Sequence, residues 1–198
     1  LDLTRAVYAR QIHSADVRIA HAADAQPPEL EPRFTCDGFV TNEPGVPLAV
    51  FMADCLPVLL HDPIAGVIGA VHCGWRGSVA DILGAAVAQM CALGAHPADI
   101  RAAIGPGIGA CCFEVGPEVV SAAEALLHAP LGALARPRAD GKVLLDLKGV
   151  NARRLVQLGV PAGQIAVSDA CTMCRPDVFW SHRATDGRRG VQAAVITL

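Results

Sequence analysis

Short apolar runs separated by turn residues occur along most of the chain. Most of these runs are almost continuously hydrophobic, a pattern typical of strands in a sheet that is covered on both faces. The turn pairs Asp62-Pro63 and Ala65-Gly66 lie between two of the runs, so we predict a hairpin over Pro57–Val71. The predicted strands are Ala6–Ile12, Pro47–Phe51, Pro57–Leu60, Gly66–Val71, Ile100–Ile104, Val143–Leu145, Ile165–Val167 and Gln192–Thr197.

Three longer segments carry apolar residues at helical spacing. Ser78 is predicted to cap the first of them, and Gly94 is predicted to end it. Strands and helices mixed in this order predict one α/β (α+β) layered domain over residues 1–198, with mixed β-sheets flanked by helices. The predicted helices are Val79–Leu93, Glu118–Leu127 and Leu147–Leu158, and the predicted loops are Ala22–Arg33 and Ala129–Gly141.

Composition narrows the class of protein. The chain has 198 residues, of which 53% are hydrophobic, so it can bury a large core. A net charge of only -3 argues against a broad nucleic-acid surface. No apolar run reaches membrane-spanning length, because residues such as Asp54 and His72 interrupt the best candidate. We therefore expect a cytoplasmic protein with no nucleic-acid or membrane partner, whose eight cysteines are thiols, metal ligands or catalytic groups.

Three metal-competent side chains each follow a predicted strand, namely His13, Cys55 and His72. Sites in layered α/β folds commonly lie at strand ends. Two imidazoles and one thiolate form a tetrahedral zinc set whose fourth position stays open to water, as in catalytic zinc sites. The alternative is a buried free cysteine and two histidines satisfied by hydrogen bonds.

Arginine accompanies two further motifs. In His72–Gly77, two glycines allow a tight turn that places Arg76 near a helix N-terminus, a position suited to phosphate or an anionic leaving group. The alternative is Arg76 in a salt bridge beside a buried Trp75. In Ser181–Arg183, Arg183 can hold a phosphate with its guanidinium fork; the alternative is a solvated loop.

Two motifs carry weaker indications. The glycines of Ile104–Gly109, Gly105 among them, allow the backbone to approach a ligand, although the segment by itself is more typical of a structural turn. Cys171 and Cys174 form a lone CxxC. The vicinal pair Cys111-Cys112 is a poor source of two tetrahedral ligands, so we interpret these cysteines as ordinary buried thiols.

Taken together and in this order, the motifs resemble the YfiH family, also labelled laccase-domain or multicopper polyphenol oxidase proteins. Family members are regarded as purine nucleoside phosphorylases with adenosine deaminase activity. The resemblance extends from about residue 6 to the C-terminus and implies a further N-terminal segment in the family. The motifs are Gln11–His13, Cys36–Thr41, Ala53–Val58, His72–Gly77, Ile104–Gly109, Cys112–Gly116, Cys171-Thr172 and Ser181–Arg183.

The resemblance implies a compact mixed α/β fold and a zinc enzyme whose substrates are a purine nucleoside and phosphate. It places the zinc ligands at His13, Cys55 and His72. Within that reaction Arg76 and Arg183 are the candidates for holding the anion, and Gly105 is a further substrate-binding candidate. Asp54, beside Cys55, is the candidate for orienting a ligand or moving a proton, and Arg76 and Asp54 are the predicted catalytic residues.

Three other functions stay open at this point. A copper oxidase is disfavoured, because seven histidines without an HxH pair cannot supply a multicopper centre. His13, Cys55, His72 and Met52 suit at most a single blue-copper centre. A metal-free hydrolase that edits a cell-wall precursor would use Cys55 as nucleophile and His72 as base. The last alternative is a binding module without catalysis. Neither the preferred nucleoside nor the oligomeric state follows from the residues.

Overall fold

In the computed structural model, which describes residues 5–198, a mixed six-stranded β-sheet crosses the molecule. Its strands lie in the order β12-β8-β6-β7-β4-β2, with parallel pairs at the two edges and antiparallel pairs between them. The strands of the described chain are β1 (Ala9–Arg10), β2 (Val17–Ile19), β3 (Phe34–Thr35), β4 (Gly38–Thr41), β5 (Leu48–Met52), β6 (Leu56–Asp62), β7 (Val67–Cys73), β8 (Arg101–Ile104), β9 (Glu114–Val115), β10 (Ala135–Pro137), β11 (Val143–Leu145), β12 (Ile165–Val167) and β13 (Gln192–Ile196).

Both faces of the central strands β6, β7 and β4 are buried. Val58 and Val71 belong to a core that the sheet shares with the helices. Ile68 and Phe39 belong to a second core on the opposite face, which is covered by the antiparallel pair β5–β13 with residues such as Leu48. The result is three layers, and the central strands have the double coverage that their continuous hydrophobicity predicted. The hairpin predicted from the turn pairs is the antiparallel pair β6–β7.

Four α-helices and four short 3-10 helices are present in residues 5–198. The α-helices are α1 (Trp75–Val79), α2 (Ile82–Ala92), α3 (Pro117–Leu127) and α4 (Leu147–Gln157), and the 3-10 turns are Ala22–Asp24, Pro97–Asp99, Gly132–Leu134 and Ala162–Gln164. Three of the α-helices have 11 residues, and none of the helices in this part of the chain is long and apolar enough to cross a bilayer.

The first predicted helix is wrong in its start and its cap. The chain breaks it into α1 and α2 at Asp81, whose backbone adopts a left-handed conformation with φ 64°. The Asp81 carboxylate accepts from the Gly84 amide and caps α2. Ser78 is instead buried inside α1, where its hydroxyl accepts from the Asn151 side chain. Helix α1 begins directly after Gly74, so the turn at the end of β7 is tighter than predicted.

The predicted strands are present, but the first is shorter than expected. Within the predicted segment Ala6–Ile12, only β1 pairs as a strand, whereas Ala6 and Val7 form isolated bridges. Strands β2, β3, β4, β9 and β10 were not predicted, and each is two to four residues long. The predicted loop Ala129–Gly141 contains β10, and the predicted exposed loop Ala22–Arg33 buries Ala25 and Gln26.

Candidate active site

The fold brings His13, Cys55 and His72 together from three separate segments. Their nitrogen and sulfur atoms all lie within 4.8 Å of one another. His13 Nε2 is 3.7 Å from Cys55 Sγ, and the two imidazole rings meet edge to face with centroids 4.9 Å apart. His13 follows β1, Cys55 lies in the turn between β5 and β6, and His72 lies near the end of β7. The expected convergence at strand ends is therefore present.

Asp37, which was not assigned a role from the sequence, contacts the His72 side chain and the backbone around His13. Its carboxylate accepts from the backbone N–H groups of Ile12 (3.1 Å), His13 (2.9 Å) and Ser14 (2.7 Å). It also lies 2.8 Å from His72 Nδ1, which leaves His72 Nε2 for the cluster. The available signal was an acidic residue in the otherwise apolar segment before β4, since an isolated buried carboxylate needs partners.

Hydrogen bonds adjust the acid–base properties of the cluster. Burial opposes ionisation of Cys55, but hydrogen bonds from His13 and His72 outweigh it and lower the pKa of the thiol to about 7. Burial also disfavours charged His72, but Asp37 outweighs it and raises the pKa of the imidazole to about 9. Burial likewise opposes ionisation of Asp37, yet its hydrogen bonds, led by the one with His72, hold its pKa well below the usual range.

The donor set fits a tetrahedral metal ion. Zinc binds sulfur at about 2.3 Å and nitrogen at about 2.1 Å, so the ligand atoms of a tetrahedral site with two nitrogens and one sulfur lie about 3.4–3.6 Å apart. The 3.7 Å between His13 Nε2 and Cys55 Sγ is close to that separation. Gly74 allows the close approach, because an added Cβ would lie 2.8 Å from His13 Cδ2 and 3.1 Å from Cys55 Sγ. Three protein donors leave a fourth position open, as in catalytic zinc sites.

This cluster lines a cleft of about 600 Å³ that also holds three arginines. Arg76 is exposed, and its guanidinium lies 4.5 Å from the centroid of the Trp75 ring. Within residues 5–198 it forms no ion pair with a carboxylate, so the salt-bridge alternative does not hold there. Arg183 lies over Phe113 and donates to the Glu114 carbonyl at 3.2 Å.

Arg189 is the third cleft arginine, and the sequence analysis missed it. Its Nε is buried and has no hydrogen-bond partner in the described part of the chain. Its Nη1 donates to the Gly190 carbonyl at 3.3 Å, and as a cleft-lining residue Arg189 places a positive charge beside any anionic ligand there. The available signal was the Arg188-Arg189 pair just before β13, close to the Ser181–Arg183 motif.

Asp54 lines the cleft beside Cys55, and its carboxylate contacts two other segments. It is buried with a left-handed backbone, φ 85°. Its Oδ1 accepts from the Thr172 hydroxyl at 2.6 Å, and its Oδ2 accepts from the Arg183 amide at 2.7 Å. Both carboxylate oxygens therefore hold other segments in place. The carboxylate that contacts a histidine of the cluster is that of Asp37, and the catalytic role of Asp54 stays a prediction.

Gly105 is not among the described residues that line the cleft. Its N–H donates to the Pro57 carbonyl at 2.9 Å, and an added Cβ would come within 2.7 Å of Pro57 Cγ. A side chain at this position would clash with Pro57 on the neighbouring strand, and the contact of Gly105 with substrate stays a prediction.

The remaining cysteine motifs also converge. The sulfur atoms of Cys111, Cys112, Cys171 and Cys174 lie within 4.8 Å of one another. Only Cys171 is buried, while Cys111 and Cys174 are exposed and Cys112 is half-buried. The interpretation of this group as ordinary buried thiols is therefore wrong, because the loops carry the sulfurs to one surface location.

Comparison with known proteins places this architecture in a family. A family model described as "Multi-copper polyphenol oxidoreductase laccase" matches residues 1–198. The purine nucleoside phosphorylase YlmD of Geobacillus stearothermophilus is 37% identical over 199 residues, which cover 98% of this chain and 72% of that protein. An adenosine deaminase from an unknown prokaryotic organism is 39% identical over 189 residues, covering 92% of this chain and 71% of the relative.

Solved structures agree with the sequence comparison. The crystal structure of the hypothetical protein YfiH from Bacillus licheniformis superposes with a TM-score of 0.90 at 35% identity, over 100% of this chain and 75% of that one. The crystal structure of YlmD from Geobacillus stearothermophilus gives a TM-score of 0.88 at 36% identity, over 98% and 74% of the two chains. The chain therefore belongs to the laccase-domain family of YfiH and YlmD.

Proposed function

We propose that this chain is a zinc-dependent purine nucleoside phosphorylase that acts on adenosine- and inosine-type nucleosides and also deaminates adenosine. The observation that carries the proposal is the convergence of His13, Cys55 and His72 at a cleft lined by arginines. Relatives named purine nucleoside phosphorylase and adenosine deaminase, at 37% and 39% identity, support the substrate class.

Zinc fits the donor set better than a copper centre that reduces oxygen. Two imidazoles and a thiolate of lowered pKa form a set that zinc accepts in tetrahedral geometry. A multicopper centre needs many more histidines, and the seven in this chain include no HxH pair. When bound, zinc would polarise a substrate oxygen or activate a water, and the second use suits deamination.

The arginines supply the anion site that phosphorolysis requires. Phosphate attacks the anomeric carbon of the ribose, the bond to the purine breaks, and the base leaves with the electron pair and takes up a proton. Arg76 and Arg189 present guanidinium groups at the cleft, and Arg183 adds a third. Guanidinium forks bind phosphate oxygens in pairs. Asp54 positions Arg183 by accepting its backbone N–H.

The apolar part of the same cleft suits the base. Phe51, Ile108 and Phe113 line it together with Trp75. A purine is flat and largely apolar, so such side chains bury its faces while the arginines hold the charged co-substrate. A cleft of about 600 Å³ lies in the range of sites for ligands of nucleoside size.

The test incubates zinc-loaded protein, as the full-length chain, with adenosine in the presence and absence of phosphate. Products are separated by chromatography. We expect adenine only when phosphate is present, and inosine in both conditions. Cys55→Ala is the control for contaminating activity, because it removes a zinc ligand. The absence of both products from folded, zinc-loaded protein would overturn the proposal.

The same residues would also suit a metal-free hydrolase, and the lowered pKa of Cys55 favours that second candidate. Chelation separates the two functions. A zinc enzyme loses activity when its metal is removed and regains it on zinc addition. A Cys55 nucleophile keeps its activity without metal and is inactivated by alkylation.

A further inference from the structure

Four cysteine sulfurs converge outside the candidate active site, and nothing proposed so far uses them. Cys174 Sγ lies 3.5 Å from Cys111 Sγ and 3.4 Å from Cys112 Sγ, and Cys171 Sγ completes a group within 4.8 Å. A tetrahedral zinc ion with four Zn–S bonds of about 2.3 Å separates its sulfurs by about 3.8 Å. The observed spacing thus matches an ion-sized gap between the four donors.

The backbone explains how a vicinal pair supplies two ligands. A tight turn, in which the Cys112 and Phe113 amides both donate to the Gly109 carbonyl at 2.9 Å, directs both sulfurs toward the second loop. That loop is held by a parallel bridge between Gly107 and Cys171 and by the Thr172 amide, which donates to the Gly107 carbonyl at 3.1 Å. Backbone hydrogen bonds therefore hold the two loops in a fixed relative position, and these bonds do not depend on the cysteine side chains.

The surroundings of Cys171 favour its thiolate form. The Gly109 amide donates to Cys171 Sγ at 3.2 Å, a bond that stabilises negative charge on sulfur. A Cβ on Gly109 would lie 3.3 Å from Cys111 Sγ, so the glycine allows the loop to pack against the sulfurs. Buried Lys148 donates to the carbonyls of Ser168 and Ala170, directly before Cys171, and brings a positive charge close to the site.

We propose that Cys111, Cys112, Cys171 and Cys174 form a second metal site, which holds one structural zinc ion in a closed tetrathiolate. Each cysteine binds as a thiolate, and any thiol proton passes to solvent. Tetrahedral sites with four sulfur ligands are typical of zinc and of iron–sulfur centres. The site is structural because the chain fills all four positions and leaves none for substrate.

The second site acts on the first through a short chain of contacts. Thr172 lies between the ligands of the CxxC and donates its hydroxyl to Asp54. Ile108, in the other loop, donates its backbone N–H to the Asp54 carbonyl at 2.8 Å. Closing the four-cysteine site therefore immobilises both segments that hold Asp54, which in turn holds Arg183 at the cleft.

The test counts metal ions per chain by elemental analysis after purification with zinc. We expect two zinc ions in the wild type, one in Cys174→Ser and one in Cys55→Ala. Cys91→Ser is the matched control and keeps two, because Cys91 is an exposed cysteine outside both clusters. Substitution of cobalt in Cys55→Ala provides a spectroscopic readout, since a tetrathiolate gives strong thiolate-to-metal charge-transfer bands that Cys55→Ala/Cys174→Ser lacks.

Thiol counting separates this proposal from a disulfide. Denatured wild type, treated with chelator but no reductant, should show all eight thiols. Six thiols together with one zinc would overturn the proposal in favour of a disulfide within the cluster. A single zinc that Cys55→Ala removes would also overturn it, and the wild-type count decides the question even if Cys174→Ser fails to fold. None of these outcomes depends on the nucleoside activity.

Discussion

The two cysteine-containing clusters of this protein differ in how many donors the chain supplies. At the cleft, His13, Cys55 and His72 provide three, whereas the second cluster provides four cysteines. Three donors leave one position for substrate or water, and four leave none. With metal bound as proposed, one short chain would combine an open, reactive site with a closed one that holds loops together.

Their supporting contacts differ in the same sense. At the cleft, a buried carboxylate, Asp37, orients His72 and ties down the backbone around His13. In the four-cysteine cluster, backbone N–H groups and close-packed Gly109 support the sulfurs. A carboxylate raises the basicity of a histidine ligand, and an N–H bond lowers that of a thiolate. The first arrangement suits chemistry and the second suits stability.

The largest predicted effect separates the roles of the two sites. Cys55→Ala should lower the phosphorolysis rate at least about 1000-fold, because it removes one of the three proposed zinc ligands. Cys174→Ser should keep most of the activity at low temperature but lose about 3 kcal/mol of stability, equivalent to a fall in Tm of about 6–12 °C. The measurements are initial rates and thermal unfolding. An unchanged Tm for Cys174→Ser would contradict the structural role.

The next largest predicted difference between the two sites is the pH dependence of zinc binding. Burial raises the pKa of Cys111 and of Cys112 above the usual range, so zinc must displace at least two protons there near pH 7.5. At the cleft, the pKa of His72 is raised to about 9 and that of Cys55 lowered to about 7, so about one proton is displaced.

Both affinities therefore fall as the pH falls, by about 100-fold per unit at the four-cysteine site and about 10-fold at the cleft. Cys55→Ala and Cys174→Ser each leave one site for measurement. Competition with a chromophoric chelator at several pH values gives the two slopes. Equal slopes would show that the two clusters do not differ in protonation as described.

Asp37→Asn should weaken zinc at the cleft by about 10–100-fold and leave the four-cysteine site unchanged. The amide carries no charge to stabilise the ordered His72 ring, and it accepts fewer hydrogen bonds from the segment around His13. The same chelator competition measures the change in Cys174→Ser protein. Asp16→Asn, at an exposed position nearby, is the matched control and should not change the affinity.

The smallest effect concerns the anion site beside the open cluster. Arg76→Ala should raise the KM for phosphate about 10-fold, with both zinc ions retained, because a guanidinium–phosphate contact contributes about 1.5 kcal/mol. Arg76→Lys should recover only part of the loss, since an ammonium lacks the planar fork. Arg101→Ala, exposed on β8 and outside the cleft lining, serves as control. A KM that stays unchanged in Arg76→Ala would make Arg76 structural.

Much of the layered fold was predictable from local patterns. Continuous apolar runs identified β6 and β7 as strands covered on both faces, and helical spacing identified α3 and α4 to within one residue at each end. Strand β4 and the break at Asp81 were not predicted, and the left-handed backbone at Asp81 is set by packing, which no local period records.

The sequence by itself determined which side chains are chemically competent, and for His13, Cys55 and His72 their positions after apolar runs also indicated that they meet. Only the tertiary structure decided which distant groups become partners: Asp37 with His72, Asp54 with Thr172, and Cys111-Cys112 with Cys171 and Cys174. The physical reason is the sequence separation over which each effect acts. Hydrophobic periodicity acts over a few residues, whereas Cys112 and Cys174 are 62 residues apart and meet only after the sheet has set the distance between their loops.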